Sequence, residues 1–165
     1  MTRHDHWVAG VSKAPLGGAR MTRLSPSDGR ELASVAMGDA ADVDLAVHAA
    51  RSAFDSSQWH NLTGLQRGAA INRLADIIEV RLDKISRVEA EEGGKPITAA
   101  RSEIQYAIDV FRYAASLAGN ISGRLIADTG PDGMGLVLHQ PRGVVGLIVP
   151  WNYAVTCLVH KLAYA

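Results

Sequence analysis

Asn152 is the residue of this sequence best equipped for chemistry. A side-chain amide offers two N–H donors, which suits it to stabilise negative charge developing on a substrate oxygen. Asn152 closes the stretch Gly143–Asn152, GVVGLIVPWN, in which five aliphatic residues (Val144, Val145, Leu147, Ile148 and Val149) are interrupted only by Gly146 before Pro150 and Trp151. An unalternating aliphatic run this short, rich in β-branched residues, reads as a strand buried on both faces. Strands of that kind stand in the middle of parallel α/β sheets, and ligands bind beyond their carboxyl ends, which is where Pro150, Trp151 and Asn152 fall. A second reading needs no chemistry: Pro150 ends the strand, Trp151 packs, and Asn152 caps the next helix. Lys161 reads on its own as a solvated helix lysine with a buried stem. Cys157, the one cysteine, lies in an apolar helical run, where a cysteine serves as small core filling. His4 and His6 have no nearby cysteine or further histidine to complete a metal site, so no metal is expected.

The elements that must position these residues follow from periodicity and punctuation. Met1–Asp5 reads as a loose tail. Trp7–Val11 and Arg30–Val35 read as short strands, with a turn at Ser25-Pro26-Ser27-Asp28-Gly29 between them. Asp42 is the expected N-cap of a helix to about Phe54, with Val43, Val47, Ala50 and Phe54 as its apolar face. Ser56–Leu62 is a connection. Thr63 and Gln66 form a T-x-x-Q capping box for a long helix ended by Gly93-Gly94, with Ile71, Leu74, Ile78, Leu82, Ile85 and Val88 as its stripe. Pro96 opens a third helix, whose stripe is Ile97, Ala100, Ile104, Ala107, Phe111, Ala114 and Ala118. Arg124–Ala127 and Gly135–His139 read as strands around the turn Gly130-Pro131-Asp132-Gly133, a hairpin or extended arm. The aliphatic strand comes next, and Val155–Tyr164 begins a helix.

Composition narrows the partners. With 17 basic and 17 acidic residues the formal charge is zero, which excludes a nucleic-acid or anionic-membrane partner held by bulk charge. The apolar stretches are far short of a membrane span. The N-terminus lacks the apolar core of a secretory signal, and a single cysteine fits a reducing, cytoplasmic setting.

A parallel-type strand needs parallel neighbours, each reached through a connection of a dozen residues or more, and no stretch of the sequence supplies them. Burying its five aliphatic side chains is worth roughly 8–15 kcal/mol, as much as the whole stability of a typical domain, about 5–15 kcal/mol. These 165 residues are therefore expected to be the front part of a larger protein.

GVVGLIVPWNY, with Lys161 nine residues after Asn152, resembles the cofactor-strand motif of the NAD(P)-dependent aldehyde dehydrogenase superfamily. Gly38–Trp59 resembles the family's first helix, Arg67–Glu92 its second, and GGKPITAARSEI followed by Phe111-Arg112-Tyr113-Ala114 its third. Gly123–Gln140 resembles the arm through which these enzymes oligomerise. The resemblance implies an α/β fold in three parts: N-terminal helices and strands of the cofactor-binding domain (1–121), an oligomerisation arm (122–142), and the first strand and helix of a Rossmann-like fold (143–165). It implies oxidation of a small-molecule aldehyde to a carboxylic acid with NAD or NADP, through a cysteine thiohemiacetal, in a homo-dimer or homo-tetramer. Asn152 would hold the oxyanion. Ile148, Val149, Pro150, Trp151 and Asn152 would line the cofactor cleft. Lys161 matches a lysine with a structural or proton-relay role. The sequence departs from the family pattern at Ala154 and Tyr164, where proline is usual, which bears on the local backbone path and on how Asn152 points. The family's nucleophilic cysteine, glutamate base, glycine-rich turn and ribose-binding lysine match no residue here, and Cys157 is not the nucleophile by position. A chain of this kind without chemistry of its own would act as an oligomerisation or interaction module instead.

Overall fold

The computed structural model describes residues 2–130 and 133–165. In chain order the elements are β1 (Thr2–His4), β2 (His6–Val8), β3 (Val11–Lys13), β4 (Arg20–Leu24), β5 (Glu31–Ala36), α1 (Ala40–Asp55), α2 (Ser57–His60), α3 (Gly64–Val80), α4 (Leu82–Gly93), α5 (Ile97–Leu117), β6 (Arg124–Ile126), β7 (Gly135–Val137) and α6 (Ala154–Leu162).

The amino terminus is built in rather than loose. β1 pairs parallel to β5, and β4 pairs antiparallel to β5. The Arg20 guanidinium explains the difference: it donates to the His4 carbonyl at 2.8 Å and to Asp5 Oδ1 at 2.6 Å, while its Nε reaches Ser34 Oγ at 2.9 Å. One charge on β4 thus fastens the first residues across the sheet, a contact that local sequence does not announce. The expected strand Trp7–Val11 is instead a hairpin of β2 and β3, turned through Ala9 and Gly10, both at positive φ. The turn at Ser25–Gly29 forms as expected, with the Gly29 N–H donating to the Ser25 carbonyl at 2.8 Å.

Thr63 caps α3 with the reciprocal Gln66 bond. α1, however, is capped by Asp39, whose carboxylate accepts from Ala41 and Asp42, and Asp42 is the third helical residue that answers back to Asp39 N. The capping box here is D-x-x-D, and Asp42 also accepts from the Leu16 N–H at 3.0 Å. That second bond draws the Asp42 face inward. Val43 and Val47 are left exposed, and Leu45, Ala49 and Phe54 lie half-buried. The single long helix expected after Thr63 breaks at Arg81, whose φ of −104° and ψ of 9° leave the helical region. The break lets α3 and α4 each lie on α5. Leu74 and Val88 consequently fall outside the core, while Ala75 is fully buried.

α5 is the axis of the molecule. Ala100, Ile104, Ala107, Phe111 and Ala114 are buried as the spacing predicts, joined by Ile108. Ile71, Ile78, Leu82, Ile85 and Val155 close around them. α3 lies unusually close: a Cβ on Gly68 would stand 2.6 Å from the Ala115 carbonyl oxygen, and one on Gly64 would overlap the carbonyl of Ala118. β6 and β7 form the expected antiparallel hairpin; Pro131 and Asp132 of its turn lie outside the described residues.

The stretch Val144–Val149 is not a strand. Val144, Leu147 and Val149 are half-buried, but Val145 and Ile148 are 51% and 85% exposed. Among the described residues no parallel partner exists to complete a ladder, so the apolar content that reads as a buried strand has no sheet to enter. Among the same residues, no helix is long and apolar enough to cross a membrane.

Candidate active site

The site grows from the junction between α4 and α5. α4 ends where Gly94 adopts the left-handed conformation, φ 66°, and donates to the Ala90 carbonyl. Two residues later Pro96 caps α5. Lys95, caught between the two helix ends, is 14% exposed and has a carboxylate on either side: Glu89 Oε1 of α4 at 2.9 Å and Glu103 Oε2 of α5 at 2.7 Å. The third donor of the ammonium crosses to the carbonyl oxygen of Asn152 at 2.8 Å. The ring of Tyr153 covers the ammonium, its centroid 4.8 Å from Nζ. Burial pulls the Lys95 ammonium towards deprotonation, but its bonds to Glu103 and Glu89 and their charges outweigh that, and the net displacement is upward from the ordinary lysine value.

A second lysine holds the same segment. Lys161, near the end of α6, donates to the carbonyl of Ile148. α6 itself is seated on α5 by Val155, Val159 and Ala163, with the His160 ring 5.5 Å from that of Tyr106. Residues 148 and 152 are therefore fixed by ammonium groups that arrive from different directions, each ending on main-chain oxygen. Gly143, at φ 99°, opens the segment beside the Arg51 guanidinium of α1.

Between these pins Val149 is half-buried, and most of the other side chains face outward. Ile148 and Trp151 are 85% and 78% exposed, and Asn152 is exposed as well. Trp151 does not pack, and Asn152 does not cap α6: the N-cap is Tyr153, without a side-chain bond. Among the described residues no hydrogen bond engages the Asn152 amide, so both of its donors are free. Cys157 is half-buried on α6. His6 faces Asp42, with Nε2 3.7 Å from Oδ2. Among the described residues no cluster of three histidine, cysteine, aspartate or glutamate side chains could hold a metal.

Of the residues singled out in the sequence, Lys161 meets Ile148 through its carbonyl, and Asn152 is bonded at its own carbonyl by Lys95 and not by Lys161. Sequence reasoning missed Lys95, Glu89 and Glu103. The available signal was a lone lysine between two helix ends, with a glutamate six residues before it and another eight after.

The aldehyde dehydrogenase family model matches residues 14–165 of the chain. The chain belongs to the aldehyde dehydrogenase family. It is 38% identical over 149 residues, 90% of its length, to aldehyde dehydrogenase family 2 member C4 of Arabidopsis thaliana. It is 37% identical over 164 residues, 99% of its length, to fluoroacetaldehyde dehydrogenase of Streptantibioticus cattleyicolor. In three dimensions it resembles the NAD-dependent aldehyde dehydrogenase of Sinorhizobium meliloti, with a TM-score of 0.93 and 36% identity over 98% of the chain. It also resembles a betaine aldehyde dehydrogenase of Staphylococcus aureus solved in complex with NAD+, with a TM-score of 0.92 and 28% identity over 97% of the chain. The chain spans 30% and 32% of the length of those two curated relatives, and 32% of the Sinorhizobium structure.

Proposed function

We propose that the protein carrying this sequence oxidises an aldehyde to a carboxylic acid with NAD or NADP, and that Asn152 is its oxyanion donor. The observation that carries this is the free amide of Asn152, presented at the end of a segment whose backbone is fixed twice, by Lys95 and by Lys161, in a chain of this family. A donor held in place before the reaction costs no reorganisation when charge develops on the carbonyl oxygen, and that is the condition for strong electrostatic stabilisation.

The residues present fit a dinucleotide. Ile148, Val149, Pro150 and Trp151 form an apolar wall on which Ile148 and Trp151 stand exposed, and a flat aromatic ligand would cover them. The group, when bound, supplies a hydride acceptor. This chain's own residues orient it, exclude water along the wall, and hold the carbonyl oxygen at the Asn152 amide. Lys161 acts here as a structural residue, fixing the Ile148 peptide. Nucleophile and base are roles we assign to none of the 165 residues. The chain then divides into residues 1–121, residues 122–142 as an arm, and residues 143–165 as the wall and its helix. The exposed Leu125, Leu136 and Leu138 on or beside the arm support self-association into a homo-dimer or homo-tetramer. A single cysteine, half-buried and unpaired, suits the cytoplasm.

The test is NAD(P)-dependent aldehyde turnover by the protein carrying this sequence, wild type against Asn152→Ala. Turnover should fall about 10²–10³-fold, with cofactor affinity little changed. Equal losses in turnover and affinity would make Asn152 a structural residue and overturn the assignment.

A further inference from the structure

We propose that Lys95 is the positioning residue for the Asn152–Tyr153 turn, acting as a three-way ammonium tie between α4, α5 and the segment that carries the proposed oxyanion amide; the link to catalysis rests on the reading of Asn152 given above. Three observations converge on it. Lys95 is nearly buried, and so are both glutamates, at 13% and 17% side-chain exposure. Among the described residues its contact with the Asn152 carbonyl is the one hydrogen bond that joins the Asn152–Tyr153 turn to the helix pair. The Tyr153 ring lies over the same ammonium, so two consecutive residues of the turn are gripped by one charge.

The chemistry suits a lysine. Its ammonium is compact, with three donors spread about one atom, and here three acceptors surround it: two carboxylates and one carbonyl. The two glutamates leave one unit of negative charge in excess, which keeps the ammonium charged, and its third donor goes to a neutral acceptor, the Asn152 carbonyl. Removing that donor frees the Asn152 peptide to rotate, and the side-chain amide rotates with it. A positioning error of about 1 Å in a catalytic donor is enough to cost on the order of 10²-fold in rate.

The test has two arms. In the first, amide hydrogen exchange of the full chain is followed by mass spectrometry for Lys95→Met and, as a control, Arg112→Met, which breaks an exposed pairing with Asp76 and Glu79 on the same helix scaffold. The probe is the segment around the Cys157 N–H, which closes the first turn of α6 on the Tyr153 carbonyl, compared with the segment around Ile104 and Ile108. Lys95→Met should speed exchange at 152–158 about tenfold or more and leave the Ile104–Ile108 segment unchanged, while Arg112→Met leaves both unchanged. If Lys95→Met fails to fold, Glu89→Gln/Lys95→Met/Glu103→Gln removes the ammonium without stranding buried carboxylates and should show the same local effect. Unchanged exchange at 152–158, or equal acceleration throughout, overturns the proposal. In the second arm, turnover is measured in a double-mutant cycle. Lys95→Met should lower kcat about tenfold or more, with the cofactor KM unchanged, and should have no further effect in the Asn152→Ala background; equal losses in both backgrounds would overturn the catalytic link. Normal turnover of Asn152→Ala beside a local exchange defect in Lys95→Met would sink the oxyanion reading and leave the tie standing.

Discussion

At the scale of single residues, three charged groups do work that hydrophobic patterning cannot foretell: Lys95, Arg20 and Asp42. Asp42 is the clearest for pH. The Leu16 N–H chiefly holds its carboxyl below the usual aspartate range; burial opposes this, and the Asp39 N–H and the nearby His6 add to the lowering. A depressed folded-state pKa means that the stabilisation is present above the unfolded value, about 4, and is lost as pH falls through the folded value. Urea titrations from about pH 5 to about pH 2 should show the wild type losing stability steadily, and Asp42→Asn losing markedly less over the same window; parallel curves would remove Asp42 from the account. Lys95 has the opposite sign. Its raised pKa keeps its contribution intact through neutral pH and surrenders it only at alkaline pH, above the ordinary lysine range. Asn152 itself was legible as a free amide after a proline-terminated aliphatic run. Lys95 was not, because its partners lie 57 residues away at Asn152 and on the far sides of two helix ends.

At the scale of elements, legibility followed locality. The cap of α3 was written in four consecutive letters, Thr63 to Gln66, and formed as read. Thr63→Ala should cost about 1 kcal/mol in a thermal or urea melt. The core stripe of α5 was likewise a matter of spacing, and Ile104→Ala should cost about 2–5 kcal/mol, the larger end applying because Ile104 is fully buried in the core cluster. What escaped was set by neighbours. The inward face of α1 differs from the one its spacing predicts because a bond from Leu16, 26 residues upstream of Asp42, draws the helix by Asp42 and not by Val43. The break at Arg81 carries neither proline nor glycine, and it exists because α3 and α4 must each turn towards α5. The glycines of α3 are a close-approach device of the same origin. Gly68→Ala would add helix propensity of about 0.5–1 kcal/mol but drive a methyl group into the Ala115 carbonyl. Overpacking of about 1–3 kcal/mol outweighs that gain, so a lowered melting temperature is the expected result.

At the scale of the whole molecule, the fold class was legible because several ordinary segments stood in the order the family uses, although no one of them was decisive. The aliphatic run shows the limit of that reading. Five aliphatic residues interrupted only by Gly146 state that a stretch is meant to be covered, and they say nothing about whether the cover is at hand. Ile148, Trp151, Val145, Leu136 and Leu138 all stand open. Exposed apolar surface of this extent marks interaction or aggregation, so sedimentation of the 165-residue chain should show association that rises with concentration. A monodisperse monomer with a sharp melting transition would count against it.

The lysine pins have a consequence for how such a wall can vary. Both grip peptide oxygens, and neither touches the side chain of Ile148 or Asn152. At positions 148 and 152 the mounting is thus blind to the letters it holds, whereas at Tyr153 it also meets the ring. Position 148 can be exchanged for another residue type, reshaping what a ligand meets, while the scaffold keeps its address in space; diversity at the surface and constancy beneath it are separately heritable.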